Sequence, residues 1–599
     1  MALAKCVFTE LDGTTVHEYT PLSATVKFEG SKKPDTFEAI FPMQNIVREN
    51  FEIAYVQDVV DLTYLKAVYP MQLSCLDESG YDQDPTTDPV ETRFANVTIG
   101  KFKGHYALEF TADGQGIHVT TVDKIDLTKQ FDISIWCTPN PTQLLSGNNE
   151  PIIWSFHDAT QGLDIGISEQ HDSIWRVFVR VDGTSLPTGY RGSTEIVMTG
   201  SPVLIRCKRG MDNVLKVYVN GIQESLKDAA SAGSPVWNGV ISSTLQPTGT
   251  DMVFGDTAAS TVDEYVGQIH EVRVYCGTDL TDGEADRIRW VKPIAQFMKF
   301  AGRVAKIKDV QTTKKALCVS NAYRFTKAKL GGDGTSLIAH DLTAVAFKTI
   351  LQSAVDVIDD DFTVRNLDSF AETTQISFVL SGSILEVGSF MSFANILFLY
   401  SDTVMYMTPR KNIIIETDAG KDTDYVFDQN GVNVKYNIKN SEDNDTKLVN
   451  EVILTGTAPA TNQTSSFTPT SGIIRTIRRN ILPINTSNDL KELADRTRVN
   501  LQGDISNDLA PKKYRVQVNT PIPHVRYNMN VTIKRKNGAN VLRSLTDQDL
   551  NDTSIKVKQI EIYYPNGSTV VKVGENDIDY FDDAVEISIT ESGLIDSTL

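Results

Sequence analysis

One stretch constrains this chain more than any other: Phe51 to Gly80, FEIAYVQDVVDLTYLKAVYPMQLSCLDESG. It opens as a strand, with Phe51, Ile53 and Tyr55 alternating with Glu52 and Ala54, and runs on through a largely apolar segment from Val56 to Leu65. There the pattern breaks off. The residues after Gly80, YDQDPTTDPVE, have the Pro- and Asp-rich composition of a linker. A β-rich block follows to about Pro293, and short alternating strands of the earlier kind resume only at Met298, in MKFAGRVAKIKDVQTTKKALCVSN. The pattern predicts one discontinuous domain that hosts another.

At 599 residues the chain exceeds a single hydrophobic core. At roughly 100 to 200 residues per domain, about three to five domains are expected. No run of about 18 apolar residues is present to span a bilayer. The N-terminal MALAKCVFTELDG lacks the basic and apolar regions of a secretory signal, so synthesis in the cytoplasm is expected. A net charge of -20 argues against broad nucleic-acid binding, which needs a lysine and arginine surface. The six cysteines, Cys6, Cys75, Cys137, Cys207, Cys276 and Cys318, are scattered singly with no C-x-x-C pair. Buried free thiols are expected rather than zinc ligands.

Before the break, LSATVKFEG and DTFEAIFPM alternate as two strands joined by a turn at Ser31 to Pro34, with Phe37, Ala39 and Phe41 on one face. The block from about Arg93 to Pro293 contains YALEF, FDISIWCTP, PIIWSFHD, LDIGIS, SIWRVFVRVDG, PVLIRCKRG, VLKVYVNGIQ and GQIHEVRVYCG. Gly, Asn, Asp or Pro separates these runs, as in an all-β sandwich. Asn220-Gly221 is a type I′ turn signal. Thr281 to Glu284 is a capping box that starts a short helix carrying Ala285 and Ile288.

Phe131 to Trp136, Val214 to Gly221 and Gly267 to Tyr275, with Leu280 to Ile288 following, together resemble the concanavalin A-like, laminin G-type jelly rolls of lectins and adhesion modules. The resemblance implies glycan or protein binding, in some members through calcium; whether calcium is a cofactor here is left open. Trp136, Trp154 and Trp175 fall in strand patterns and are expected in the core. Tyr190 and Trp237 sit in Gly- and Ser-rich stretches, TGYRGS and GSPVWNGVISS, where an aromatic face can stack on a sugar, and they are the candidate glycan-binding residues. Glycanases that share the sandwich carry a Glu-x-Asp-x-x-Glu type strand, and a retaining mechanism needs carboxyls about 5 to 5.5 Å apart. Asp164, Glu169 and Asp172 instead fall at or near turns, so no catalytic residue is assigned and no enzyme is expected.

Beyond Met298, DLTAVAFKTILQSAVDVI from Asp341 puts Phe347, Ile350, Leu351, Ala354, Val355 and Ile358 on one helical face. YMTPRKNIIIE has the turn of a hairpin. Thr457 to Ser471 has the composition of a mobile loop, SNDLKELADRTRVNL is an amphipathic helix, and YRVQVNTPIP, MNVTIKRKNG, IKVKQIEIYYPNGSTVVKVG and AVEISI return to strands.

With the insert set aside, FEIAYVQDVVDLTYL, LVNEVILTGT and IKVKQIEIYYPNGSTVVKVG make the remainder similar to the tail hub, or baseplate hub, proteins of tailed viruses. The expected fold class is mainly β with α+β modules: a discontinuous hub of small β-barrels and α/β modules with an inserted β-sandwich. Its parts are residues 1–85 plus 295–335 as a split first barrel, 86–294 as the sandwich, 336–425 as an α/β module, and 426–599 as a second barrel with its helix. The resemblance implies a homotrimer at the tail tip of a virion, contacting the tail tube and other tip proteins, with the sandwich offered to host surface glycans. A hub of a contractile injection system, a purely architectural sandwich, and, less favoured, a glycan-cleaving enzyme are the alternatives.

Overall fold

The computed structural model describes most of residues 3–323 and, beyond them, chiefly strands between 345 and 574. Residues 141–149, 183–188, 229–238, 257–264, 324–344, 377–402, 441–450, 499–512, 535–550 and 575–599 are among the stretches outside the described residues. The chain is mainly β, and Asp282–Val291 is the helix described along its whole length. It divides into two compact units. The first comprises Met1–Phe8, Val16–Thr20 and Ala54–Lys299, and the second Thr9–Thr15, Pro21–Ile53 and Phe300–Leu599.

The long segment of the unit that holds the sandwich therefore begins at Ala54, where the sequence placed the boundary at residue 86, and two short N-terminal segments, Met1–Phe8 and Val16–Thr20, belong to the same unit. Strand pairing is the cause. Leu65–Tyr69 runs antiparallel to Gly267–Cys276, with Ala67 opposite Val274 and Tyr69 opposite Val272. The Asp-rich stretch read as a linker is instead packed, because its carboxylates, with that of Asp77 just before it, accept from backbone amides and hydroxyls of the segment from Val68 to Ser79. Asp77 accepts from the Val68 amide at 2.9 Å and from the Ser79 hydroxyl at 2.6 Å, and Asp84 accepts from the Asp77 amide at 2.8 Å. Asp88 accepts from the Cys75 amide at 2.8 Å and the Ser74 hydroxyl at 2.9 Å.

Two sheets form the sandwich. One runs in the order Ile222–Gln223, Leu215–Val219, Val203–Arg209, Phe131–Pro139, Gly267–Cys276, Phe102–Phe110, Phe94–Ile99. The other has seven strands, in the order Lys227–Asp228, Gly189–Glu195, Arg176–Asp182, Gly162–Ser168, Ile152–His157, Met252–Phe254, Ile117–Val119. Ile133, Ile135, Cys207 and Val272 of the first sheet and Trp154, Phe156, Ile165 and Val179 of the second are fully buried. Each such aliphatic or aromatic side chain contributes about 1.5–3 kcal/mol on leaving water. The two-residue loop between Val219 and Ile222 has φ of 50° at Asn220 and 85° at Gly221, as a type I′ turn requires. The capping box also forms: the Glu284 amide donates to the Thr281 hydroxyl at 3.3 Å, and the Glu284 carboxylate accepts from the Thr281 amide at 3.1 Å.

A second core lies on the back of the Gly267–Cys276 strand. Val56, Val60 and Leu62 from the entering chain, Leu65 and Val68, Tyr275, and Leu280, Ile288 and Phe297 from the departing chain are buried in one cluster. The entering and leaving segments thus close over the sandwich where they join it.

In the second unit, Ser23–Phe28 pairs with Thr36–Pro42, burying Phe37, Ala39 and Phe41 on one face. Thr36–Pro42 pairs in turn with Thr313–Ser320, and Ser23–Phe28 with Asn551–Tyr564. Asn551–Tyr564 continues to Ser568–Gly574, then Lys513–Val518, then Asn437–Asn440. The barrels expected here do not close among the described residues; the strands form an open sheet. The hairpin in YMTPRKNIIIE is present, Thr403–Met407 against Asn412–Thr417, and a parallel strand Thr363–Asn366 flanks it.

Two expectations in this unit change. Val345–Ala346 is a short strand paired with Gln375–Ile376, so the helix expected from Asp341 does not run through these two residues, and Asp341 itself lies outside the described residues. Helical turns are described only at residues 352 and 355–356, with Val355 buried, and Phe347, Ile350, Leu351, Ala354 and Ile358 lie outside the described residues. The Thr- and Ser-rich segment contains a strand, Gln463–Ser466, because Glu451–Gly456 offers it an edge. The amphipathic helix after Ser487 is partly described, with Leu490 and Ala494 buried as their spacing predicts. The strand expected at AVEISI and the turn at Ser31 to Lys33 lie outside the described residues.

Candidate functional site

Strand alternation divides the seven-stranded sheet into two faces. Trp154, Leu163, Ile165, Val177, Val179 and Val181 share the core face by register. Ser155, Asp164, Gly166, Phe178, Arg180 and Arg191 share the other. This second face carries the most concentrated polar chemistry of the sheet. Asp164 is fully buried and accepts from the Ser155 hydroxyl at 2.6 Å and from Arg180 at 3.2 Å. Arg180 lies 3.8 Å from Glu150 and places its guanidinium 5.8 Å from the Phe178 ring centroid, within cation–π range. At the sheet margin, Glu224 accepts from the Ser193 and Thr194 amides, each at 2.7 Å, and a Cβ at Gly192 would meet that carboxylate at 2.8 Å.

A carboxylate, a guanidinium and an aromatic face are the groups that recognise sugar hydroxyls and rings. Here they are buried. Ser155, Asp164 and Phe178 are at most 1% exposed and Arg191 is 9% exposed. The sequence placed Asp164 at a turn; it stands mid-strand, opposite both Ser155 and Arg180. The signal was present as period-two spacing in LDIGIS and WRVFVRVD, which puts the Asp and the Arg on the polar side.

Tyr190 does not lie in a loop. Its stretch is a strand, Gly189–Glu195, and pairing with Val179 turns the ring to the core face, leaving it 1% exposed. Trp237 lies outside the described residues. Trp136 and Trp154 are buried as expected, whereas Trp175 is only half-buried and precedes its strand. Glu169 and Asp172 lie outside the described residues.

A second polar cluster lies where the chain enters and leaves the sandwich unit. Arg273 donates to Asp58 at 2.7 Å and to Glu271 at 2.5 Å, and its guanidinium stands 4.5 Å from the Phe297 ring. The Glu78 carboxylate accepts from the Phe297 and Met298 amides at 2.7 and 2.9 Å, holding the departing chain. Burial pushes Glu271 up to about 7 against the opposing pull of Arg273, and lowers Lys299 to about 8. Lys5, buried against the Leu65 carbonyl and the Tyr81 ring, is likewise lowered to about 8 by desolvation.

Among the described residues no group of three or more His, Cys, Asp or Glu is placed to hold a metal ion. No described helix is long and apolar enough to cross a membrane.

No family model matches the sequence, and no curated protein matches it. Among solved structures, the chain is similar to domain 4 of AbnA, an extracellular arabinanase of Geobacillus stearothermophilus in complex with arabinotriose. That match has 19% identity over 37% of this chain and 98% of that one, with a TM-score of 0.26. A tail protein from Neisseria meningitidis matches at 9% identity over 48% of this chain and 83% of its own, with a TM-score of 0.34. A prophage tail protein from Listeria monocytogenes matches at 9% identity over 48% and 81%, with a TM-score of 0.30. At these scores none of the likenesses carries an argument about what this chain does.

Proposed function

We propose that this chain is a structural hub protein of a virus tail, with a lectin-like sandwich inserted into it. One observation carries the reading. Thr36–Pro42 finds its sheet neighbour in Thr313–Ser320, residue Lys314 bonding to the Asn45 carbonyl 269 positions earlier, and a separately compact sandwich unit occupies the interval. Insertion of this kind leaves the host sheet intact when the ends of the insert lie close together. It fits the resemblance of the flanking stretches to tail hubs and of the insert to lectins.

On this reading the second unit assembles as a homotrimer at the tail tip, against the tail tube and other tip proteins, and a closed ring needs heterologous contacts. The sandwich meets host surface glycan, with Trp237 as the candidate contact, and three copies raise a weak affinity through avidity. A non-catalytic role is supported by how three buried carboxylates of the sandwich are engaged. Asp132 is tied to Arg206, Asp164 to Ser155 and Arg180, and Glu224 to backbone amides.

Light scattering on the full chain across a wide concentration range tests the assembly. Three copies per particle support the hub; a monomer at every concentration counts against it. Glycan-array binding that Trp237→Ala removes supports attachment. The burial of Asp164 and Phe178 favours a second reading, an architectural sandwich, and an array with no bound glycan selects it.

A further inference from the structure

We propose that Glu271 is a proton-binding group whose ionisation loosens the hold of the entering chain on the sandwich, a pH-responsive latch independent of the hub reading. The geometry is one cation between two carboxylates. Arg273, fully buried, bridges Asp58 of the entering segment and Glu271 of its own strand, whose side chains are 2% and 1% exposed. A single guanidinium does not neutralise two buried carboxylates, and one of them is driven to take a proton.

Hydrogen bonding decides which one. The Glu271 Oε1 receives the Arg273 Nε proton, but Oε2 has no hydrogen-bond partner among the described residues. Directly across the sheet stands Trp136, whose Nε1 is buried and equally unpartnered, and beside it Ser134, opposite Arg273, with an unpartnered hydroxyl. Neither of these groups donates to Oε2, so an ionised oxygen there is left without hydrogen-bond stabilisation, while a protonated one can itself donate. Glu78 is in the reverse position, with two backbone amides on one oxygen.

The groups facing this carboxylate from the surrounding elements are few. Its own strand supplies Arg273 and Tyr275, the neighbouring strand Ser134 and Trp136, and the entering chain Asp58. The segment after Tyr69 supplies Glu78, and Lys299 on the departing chain sits in the field of Glu78 and Asp58. Three carboxylates against two cations leave an excess negative charge, in keeping with the upward displacement of Glu271 to about 7 by burial. The sign follows. In the unfolded chain Glu271 is ionised above its ordinary 4.5, so the folded latch binds the extra proton between about 4.5 and 7. The closed state gains stability as pH falls through that window, and the gain is gone once pH has risen above about 7. With Glu271 neutral, the whole charge of Arg273 is left to Asp58, and the entering chain is held more tightly.

Hydrogen exchange on the full chain, read at residues 56–62 and 269–276 and corrected for the intrinsic rate, tests the proposal. Protection in the wild type is expected to fall roughly tenfold between about pH 6 and pH 8. Glu271→Gln, a permanent stand-in for the protonated form, is expected to keep the pH 6 protection throughout. Asp58→Asn removes a like charge and is expected to move the transition to lower pH. A Glu271→Gln protein with the wild-type pH dependence overturns the latch. Should that variant fail to fold, an unmoved transition in Asp58→Asn overturns it equally.

Discussion

The Asp132 carboxylate lies 2.6 Å from Arg206 Nη2, on adjacent strands of the sandwich, with the side chains 0% and 5% exposed. Arg206 Nε also donates to both Asp132 oxygens at 3.0 Å, and the pair brackets Leu280, whose amide donates to Asp132 and whose carbonyl accepts from Arg206. Two buried charges thereby fix the residue that leads into the Thr281 capping box. Asp132→Ala leaves a buried guanidinium without its partner and is expected to cost about 3–5 kcal/mol in chemical denaturation. Replacing both residues with apolar side chains of similar volume is expected to cost far less, because no charge is then stranded.

Lys5 and Lys299 give the sandwich unit an alkaline pH dependence. Burial lowers both from 10.5 to about 8, so between these values the unfolded chain binds protons that the folded chain does not. Stability from these groups is fully present above 10.5 and is lost as pH falls through about 8. Denaturation curves across that window are expected to rise with pH, and Lys299→Met is expected to flatten the rise. An unchanged slope in the variant would refute the assignment.

All six cysteines are buried thiols and none is in a disulfide. Desolvation raises Cys137 and Cys276 to about 12 and moves Cys207 and Cys318 upward as well. Thiolate, the reactive form, is therefore scarce at neutral pH. A thiol reagent at pH 8 is expected to label none of the six in the native protein and all six after denaturation.

Tyr190→Ala is expected to act on stability rather than on ligand binding. The ring is 1% exposed on the core face, and removing a buried aromatic side chain of this size costs about 3–5 kcal/mol. An array profile altered with no loss of stability would restore Tyr190 to the surface.

Much of the architecture was legible because local patterns carried it. Alternation in VLKVYVNG with its Asn-Gly turn, and the Thr-x-x-Glu box before Ile288, each specify an element without help from distant residues. The linker reading of YDQDPTTDPVE failed because composition cannot distinguish an Asp that meets water from one that accepts buried amides. Tyr190 was misplaced for a related reason: Gly and Ser around it resemble a loop, but Arg176–Asp182 supplied a partner strand.

The sequence by itself determined that this is a β-rich chain with one unit set inside another, since hydrophobic period and turn chemistry act over a few residues. Only the tertiary structure decided where that boundary falls, which face Tyr190 takes, and that Arg273 is shared by Asp58, 215 positions before it, and Glu271, two positions before it. Those outcomes depend on strand register and on burial, and neither exists until distant segments pair and water is excluded.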